Sequence, residues 1–407
     1  MLFFLALVLD FFLAASGALV PDRVSRIKES IDAPPAGWTR IDRAPPHLSV
    51  RLRIALMQGQ FDELERRLYE ISDPDHARYG AHMTKQDVES LVRPRSTTLA
   101  LVDEWLATFG FNTTTLDRSP AEDWVTLTVP VLILEQMLDT EYFIWRHDDG
   151  ELLARTTSYS LPGYLHEHVE LIQPTTMFAR SPKRVARPAE DKHAVDSDCG
   201  TMITLACLRQ LYSADGYTPR APKKNAIGIT GFLDQYANHK DLASFYRDQL
   251  PEAEGSSFRF VSVNGGANNQ SLSAAGEEAN LDVQYALGLA YPTPGTFWST
   301  AGNGPFHPDA RVHDPDNEPY MTWLDHVLRS DRLPQTITTS YADDEQTVPS
   351  AYARRVCKRF AELGCRGVSV IFASGDYGVG DGDPEAESQQ CLSTTRHRTR
   401  FIPAFPA

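Results

Sequence analysis

From residue 199 onward the chain repeats one pattern: a short apolar run rich in β-branched and aromatic residues, then a stretch with helical spacing. The runs are NAIGITGF, FRFVSV, TFWST, QTITTSY and GVSVIFA. Helices are predicted near 239–250, over 275–290, around 319–330 and across 348–363. Buried strands separated by helices need crossover connections rather than hairpins, so this half is expected to form an α/β, doubly wound parallel sheet with helices on both faces. Ligand sites in such sheets lie beyond the carboxyl ends of the strands. GVSVIFA runs directly into Ser374-Gly375-Asp376-Tyr377-Gly378, which puts Asp376 on that edge.

The preceding part has a different rhythm. Helical periods at 61–71, 84–92 and 97–109 are followed by the strand-like DWVTLTV, a short helix at 130–138 and the strand-like EYFIWRH, a compact α+β domain over 40–178. Between the halves, 179–198 reads ARSPKRVARPAEDKHAVDSD. It lacks apolar periodicity and carries prolines, a basic cluster and an acidic stretch, so it is expected to be an exposed linker. Composition fits a processing site open to a protease and an unprocessed connector equally well.

The chain has 407 residues, 42% of them hydrophobic, enough for two ordinary cores. Its formal charge of −15 disfavours nucleic acid and anionic membrane surfaces as partners. The opening MLFFLALVLDFFLAASGALV is an apolar run ending in small residues, read as a signal peptide over 1–18 with export as its consequence. Asp10 interrupts the run, which argues against a membrane-spanning helix. An exported chain should have oxidised cysteines. Cys199, Cys207, Cys357, Cys365 and Cys391 are an odd set, so at least one lacks a partner within the chain. A Cys199–Cys207 bridge would close a small loop. No CxxC pair, HExxH or other zinc spacing occurs, and no metal ligand is assigned. The sequons at Asn112 and Asn269 are candidate glycosylation sites.

GEEANLDVQYALGLA (276–290) places Glu278 and Asp282 one helical turn apart in a mostly apolar segment, with Cβ atoms about 6 Å apart. Two anions at that distance repel. A shared proton removes the repulsion and raises one apparent pKa, giving a base that works at acidic pH. The alternative is that both face solvent near the helix start, where acids suit the helix dipole. Taken alone, Asp376 reads as a turn aspartate. GxSxG is absent.

These residues resemble the sedolisins, serine-carboxyl peptidases of subtilisin-like fold, and among them the fungal tripeptidyl-peptidases. RIALMQGQFDELERRLYEISDPDHARYGAHMTKQDVESLVRP and LLARTTSYSLPGYLHEHVELIQPTTMF are similar to the family's activation propeptide. CGTMITLACLRQLY is similar to the start of the mature enzyme, and GEEANLDVQYALGLA, SYADDEQTVPSAYARRVCKRFAELGCRGVSVIFASGD and FIPAFPA to internal segments.

The resemblance implies a ferredoxin-like α+β propeptide domain ahead of a partial peptidase domain at 199–407. It implies Glu278 as general base, Asp282 as the residue that orients it and shares its proton, and Asp376 as a protonated oxyanion donor. Such a donor contributes roughly 3 kcal/mol in comparable holes. It implies further a secreted, extracellular and monomeric zymogen acting on peptides, with its own propeptide as partner, that releases tripeptides from free N-termini. The residue after Gly-Asp, serine in the family, is Tyr377 here. The sequence reaches Ala407 before the family's Gly-Thr-Ser nucleophile segment and before its Ca2+ site, so the sheet is expected to be C-terminally incomplete, the chain an inactive fragment, the nucleophile absent and Cys391 without its partner. A non-catalytic inhibitor or binding protein of a related peptidase is the alternative. An aspartic dyad of Asp282 with Asp376 is a weaker third reading.

Overall fold

Alternating apolar residues build the first domain around an antiparallel sheet. The computed structural model describes residues 23–35, 37–148, 150–178, 199–200, 202–220, 224–308, 317–375 and 401–406. The expected signal peptide, the 179–198 linker, Asp376, Tyr377 and Cys391 lie outside them. The elements in chain order are β1 (Ser25–Ser30), β2 (Trp38–Arg43), β3 (Ser49–Leu56), α1 (Phe61–Ser72), α2 (Lys85–Val92), α3 (Ser96–Thr108), β4 (Asp117–Arg118), β5 (Trp124–Pro130), α4 (Val131–Leu138), β6 (Phe143–His147), β7 (Leu152–Arg155), β8 (Ser158–Pro162) and β9 (Val169–Gln173).

The main sheet has the order β4-β5-β3-β9, and its ladders are antiparallel. With α1–α3 between β3 and β4, and α4 between β5 and β9, this is the ferredoxin-like arrangement. Along β3, Leu52, Ile54 and Leu56 enter the domain's own core with Trp105, Leu106, Leu134 and Leu138. Ala55 points the opposite way, into the second domain, as a period of two requires. β1 pairs with β8, and β2 with β6, so chain ahead of residue 40 is part of this unit.

The second domain continues with α5 (Leu205–Leu211), β10 (Ile227–Gly231), α6 (His239–Gln249), β11 (Arg259–Val263), α7 (Glu277–Ala290), β12 (Gly295–Thr300), α8 (Tyr320–Arg329), β13 (Thr336–Thr339), β14 (Asp343–Asp344), α9 (Ser350–Cys365), β15 (Ser369–Phe372) and β16 (Ala404–Phe405). Among the described residues the sheet has five strands in the order β11-β12-β10-β13-β15. Every pairing in it is parallel. The connections reverse direction around β10, which makes its carboxyl end the switch point of a doubly wound sheet. α6 and α7 cover one face through Ile229, Leu242, Tyr246, Val283, Leu287 and Phe297. α8 and α9 cover the other, where Trp298, Ile337, Trp323 and Val356 pack with Ala55, Trp124 and Leu171 of the first domain.

Charges are buried at that domain boundary. Arg355 of α9 pairs with Asp123 at 2.6 Å and Glu170 at 2.7 Å and donates to Leu56 O at 3.1 Å. Arg359 pairs with Glu362 at 3.0 Å and Asp325 at 2.9 Å, and Gln58 donates to both Asp123 and Glu362. Burial alone would raise Asp123, but the Arg355 and Arg359 charges outweigh it and hold that carboxyl below its ordinary value. Burial raises Glu362 despite Arg359 beside it. The Arg53 and Arg355 guanidinium groups lie 4.4 and 5.3 Å from the Trp124 ring centroid, within cation–π range.

Candidate active site

α7 owes its position to contacts at its first turn. Gly276 precedes it, and a Cβ there would fall 2.2 Å from Gln235 Oε1 and 2.8 Å from Tyr236 N, so only glycine lets the helix abut the chain leaving β10. In that chain Leu233 and Asp234 have positive φ, a strained backbone of the kind that gathers at functional edges. Gly276 N donates to Tyr236 O at 2.9 Å. Asn280 accepts from Asn238 N at 2.8 Å and donates to Asp241 at 2.7 Å, which ties α7 to α6.

The inward face of α7 carries Ala279, Asp282, Val283, Leu287 and Gly288. Leu281, counted among the apolar residues of this helix, is 50% exposed, because it lies about 200° around the helix from Val283. Glu278 is half-buried. Asp282 is only 6% exposed, so the solvent-facing alternative does not describe it. Its Oδ1 accepts the Ser340 hydroxyl at 2.5 Å, and its Oδ2 is buried with no partner other than the Glu278 carboxyl among the described residues. Burial pushes the Asp282 carboxyl up to about 7; Ser340 opposes the rise, and the charge and hydrogen bonding of Glu278 add to it. Tyr341 is buried with them, its hydroxyl pushed far up by burial and then by the charges of Asp282 and Glu278.

Ser340 directly follows β13, at the carboxyl edge beside β10. The Tyr320 hydroxyl donates to Tyr341 O at 2.6 Å, Glu318 N donates to Asp343 Oδ1 at 3.3 Å, and β14 pairs with β16. Ala373 N donates to Thr339 O at 3.1 Å, so Ser374 and Gly375 leave the sheet at the same edge. Asp376 itself lies outside the described residues. Ser340 escaped the sequence reading, since a lone serine after a strand carries no signal; the buried acids of the domain boundary escaped it as well.

Cys199 and Cys207 are disulfide-bonded with Cα atoms 5.8 Å apart. Asn112 and Asn269 are exposed. No group of three or more His, Cys, Asp or Glu side chains among the described residues could hold a metal ion. No helix among them is long and apolar enough to cross a membrane.

Residues 36–178 match the family described as Pro-kumamolisin, activation domain. The chain is 36% identical over 416 residues to a probable tripeptidyl-peptidase SED3 of Arthroderma benhamiae, covering 98% of this chain and 68% of that protein. It is 34% identical over 421 residues to tripeptidyl-peptidase SED2 of Arthroderma otae, covering 98% and 69%. Among solved structures, Pseudomonas sedolisin, a serine-carboxyl proteinase complexed with two molecules of pseudo-iodotyrostatin, aligns with a TM-score of 0.31 at 18% identity over 50% of each chain.

Proposed function

The chain belongs to the sedolisin family of serine-type tripeptidyl-peptidases, and from that premise we propose that it is a secreted zymogen whose peptidase works at acidic pH and releases tripeptides from free N-termini. The observation that carries the acid chemistry is the burial of Asp282 one turn from Glu278, which keeps a proton on the pair near neutrality. In this reading Glu278 accepts the proton of a serine hydroxyl as its oxygen attacks the scissile carbonyl carbon. Asp282 orients Glu278 and shares its proton, as an aspartate does for a histidine base elsewhere. Asp376, protonated, donates to the carbonyl oxygen as it becomes negative. Collapse breaks the C–N bond, the proton passes from Glu278 to the leaving amine, and water then hydrolyses the acyl-enzyme by the same relay. We assign the nucleophile to no residue of this sequence. A Ca2+ ion remains part of the proposal through family membership alone.

The first domain is proposed as the activation propeptide, held by the buried Asp123–Arg355–Arg359 cluster, with processing within 179–198. The test is to express the protein from its gene, acidify it, and offer peptides with free and blocked N-termini. Tripeptides should appear only from free N-termini and be lost in Glu278→Gln. Hydrolysis indifferent to that substitution would overturn the proposal. The same docked interface favours a second reading, a secreted inhibitor of a related peptidase. Adding the purified chain to an active sedolisin and seeing no slowing of hydrolysis excludes it.

A further inference from the structure

Building on the proposed Glu278–Asp282 relay, we propose that Ser340 is the positioning residue that decides which oxygen of Asp282 carries the proton of the pair. Oδ1 already accepts the Ser340 hydroxyl at 2.5 Å, and a carboxyl oxygen bearing a proton is a poor acceptor. Oδ2 is buried and has no partner other than the Glu278 carboxyl among the described residues. The proton therefore belongs on Oδ2, the oxygen that remains available to Glu278.

Ser340 is suited to this by its rigidity. The next residue's carbonyl is fixed by Tyr320 at 2.6 Å, and the preceding residue's by Ala373 at 3.1 Å, so the hydroxyl is presented from backbone held on both sides. The titratable group that acts on Asp282 among the described residues is Glu278 from its own helix; Tyr341, which follows Ser340, faces both acids and is raised by their charges. A serine that merely filled space would leave the proton where Glu278 and burial put it. A serine that donates stabilises the charged form of Asp282, and its removal must let Asp282 hold its proton to higher pH.

The experiment is a carbon-13 titration of the full chain labelled at the aspartate carboxyl carbon. In the wild type, one resonance titrates near pH 7 and is missing from Asp282→Asn. In Ser340→Ala that resonance titrates about one pH unit higher, the size of one hydrogen bond to a charged acceptor, and Ser340→Thr restores it. Ser340→Cys, a weaker donor of similar size, moves it in the same direction as alanine and serves if the alanine variant does not fold. A wild-type titration in the folded alanine or cysteine variant overturns the role of Ser340 and leaves the relay standing. Absence of any aspartate titrating above the ordinary range in the wild type removes the relay, and this proposal with it.

Discussion

Arg355 and Asp123 meet across the domain boundary at 2.6 Å with neither side chain exposed to solvent. Asp123 also accepts from Ser119 at 2.6 Å and from Gln58 at 3.1 Å, so its charge is well satisfied, whereas Arg355 depends on Asp123 and Glu170. Removing one partner of such a pair leaves the other charge buried and uncompensated. Asp123→Ala should therefore destabilise the chain by about 3–5 kcal/mol, read as a lowered denaturant midpoint. Arg66→Ala, in the exposed α1 network with Glu63 and Glu70, should leave that midpoint unmoved. Equal shifts would contradict the assignment.

The pH dependence of this boundary has two opposed parts. Asp123 is held below its ordinary value of 3.8, so its contribution is complete above about pH 4 and disappears as pH falls through the lowered value. Glu362 is raised above 4.5, so its contribution is present below that pH and lost as pH rises through the raised value. Acidification below the ordinary carboxylate range should loosen the first domain, seen as faster proteolysis of β3 and β5. Glu362→Gln should remove the neutral-pH loss without moving the acid limb. An acid limb displaced in that variant would show that Asp123 is not its source.

Asp282 gives a separate signature. With its carboxyl raised from 3.8 to about 7, the stability it contributes is fully present below pH 3.8 and lost as pH rises through 7. Asp282→Asn lacks this penalty, so relative to the wild type it should gain up to roughly 4 kcal/mol between pH 4 and pH 8. Denaturant unfolding at the two pH values measures the difference. Parallel curves would mean that the carboxyl is ordinary.

Cys365 lies buried at the same boundary, its thiol donating to Leu64 O at 3.5 Å and pushed by burial up to about 12. Alkylation depends on the thiolate, so at neutral pH Cys365 should resist iodoacetamide while the domains are joined, and react once they part. Peptide mapping by mass spectrometry reports it. Rapid modification of the intact protein would contradict the packing of α1 against α9.

Much of this architecture was legible in the chain. The alternation of NAIGITGF, FRFVSV, TFWST, QTITTSY and GVSVIFA with helical stretches locates β10 to β13, β15 and their helices to within a few residues, because buried parallel strands need near-continuous apolar runs. β1 was not legible: SRIKES has no apolar face, and its order comes from backbone pairing with β8. α5 is only seven residues long, too short for periodicity to register. On α9, Arg355, Arg359 and Glu362 share a face at helical spacing. Their burial could not be read, since Asp123 is 232 residues away from Arg355 in sequence. Likewise GEEANLDVQYALGLA displays the spacing of Glu278 and Asp282, while the contact that distinguishes Asp282 comes from Ser340, 58 residues on.

Gly276→Ala tests whether the start of α7 is fixed by close approach. The added methyl meets the backbone nitrogen of Tyr236 at 2.8 Å, so the helix must shift, at about 1–3 kcal/mol. The Asp282 titration should move with it. Unchanged stability would show that the loop yields freely.

The relay itself is tested most directly by a high-resolution crystal structure at acidic pH, with the separation of the Glu278 and Asp282 carboxyl oxygens as the measurement. A shared proton predicts a Glu278 oxygen about 2.5–2.7 Å from Asp282 Oδ2, with Ser340 still on Oδ1. Glu278 turned to solvent, with water or another donor on Asp282 Oδ2, would contradict it.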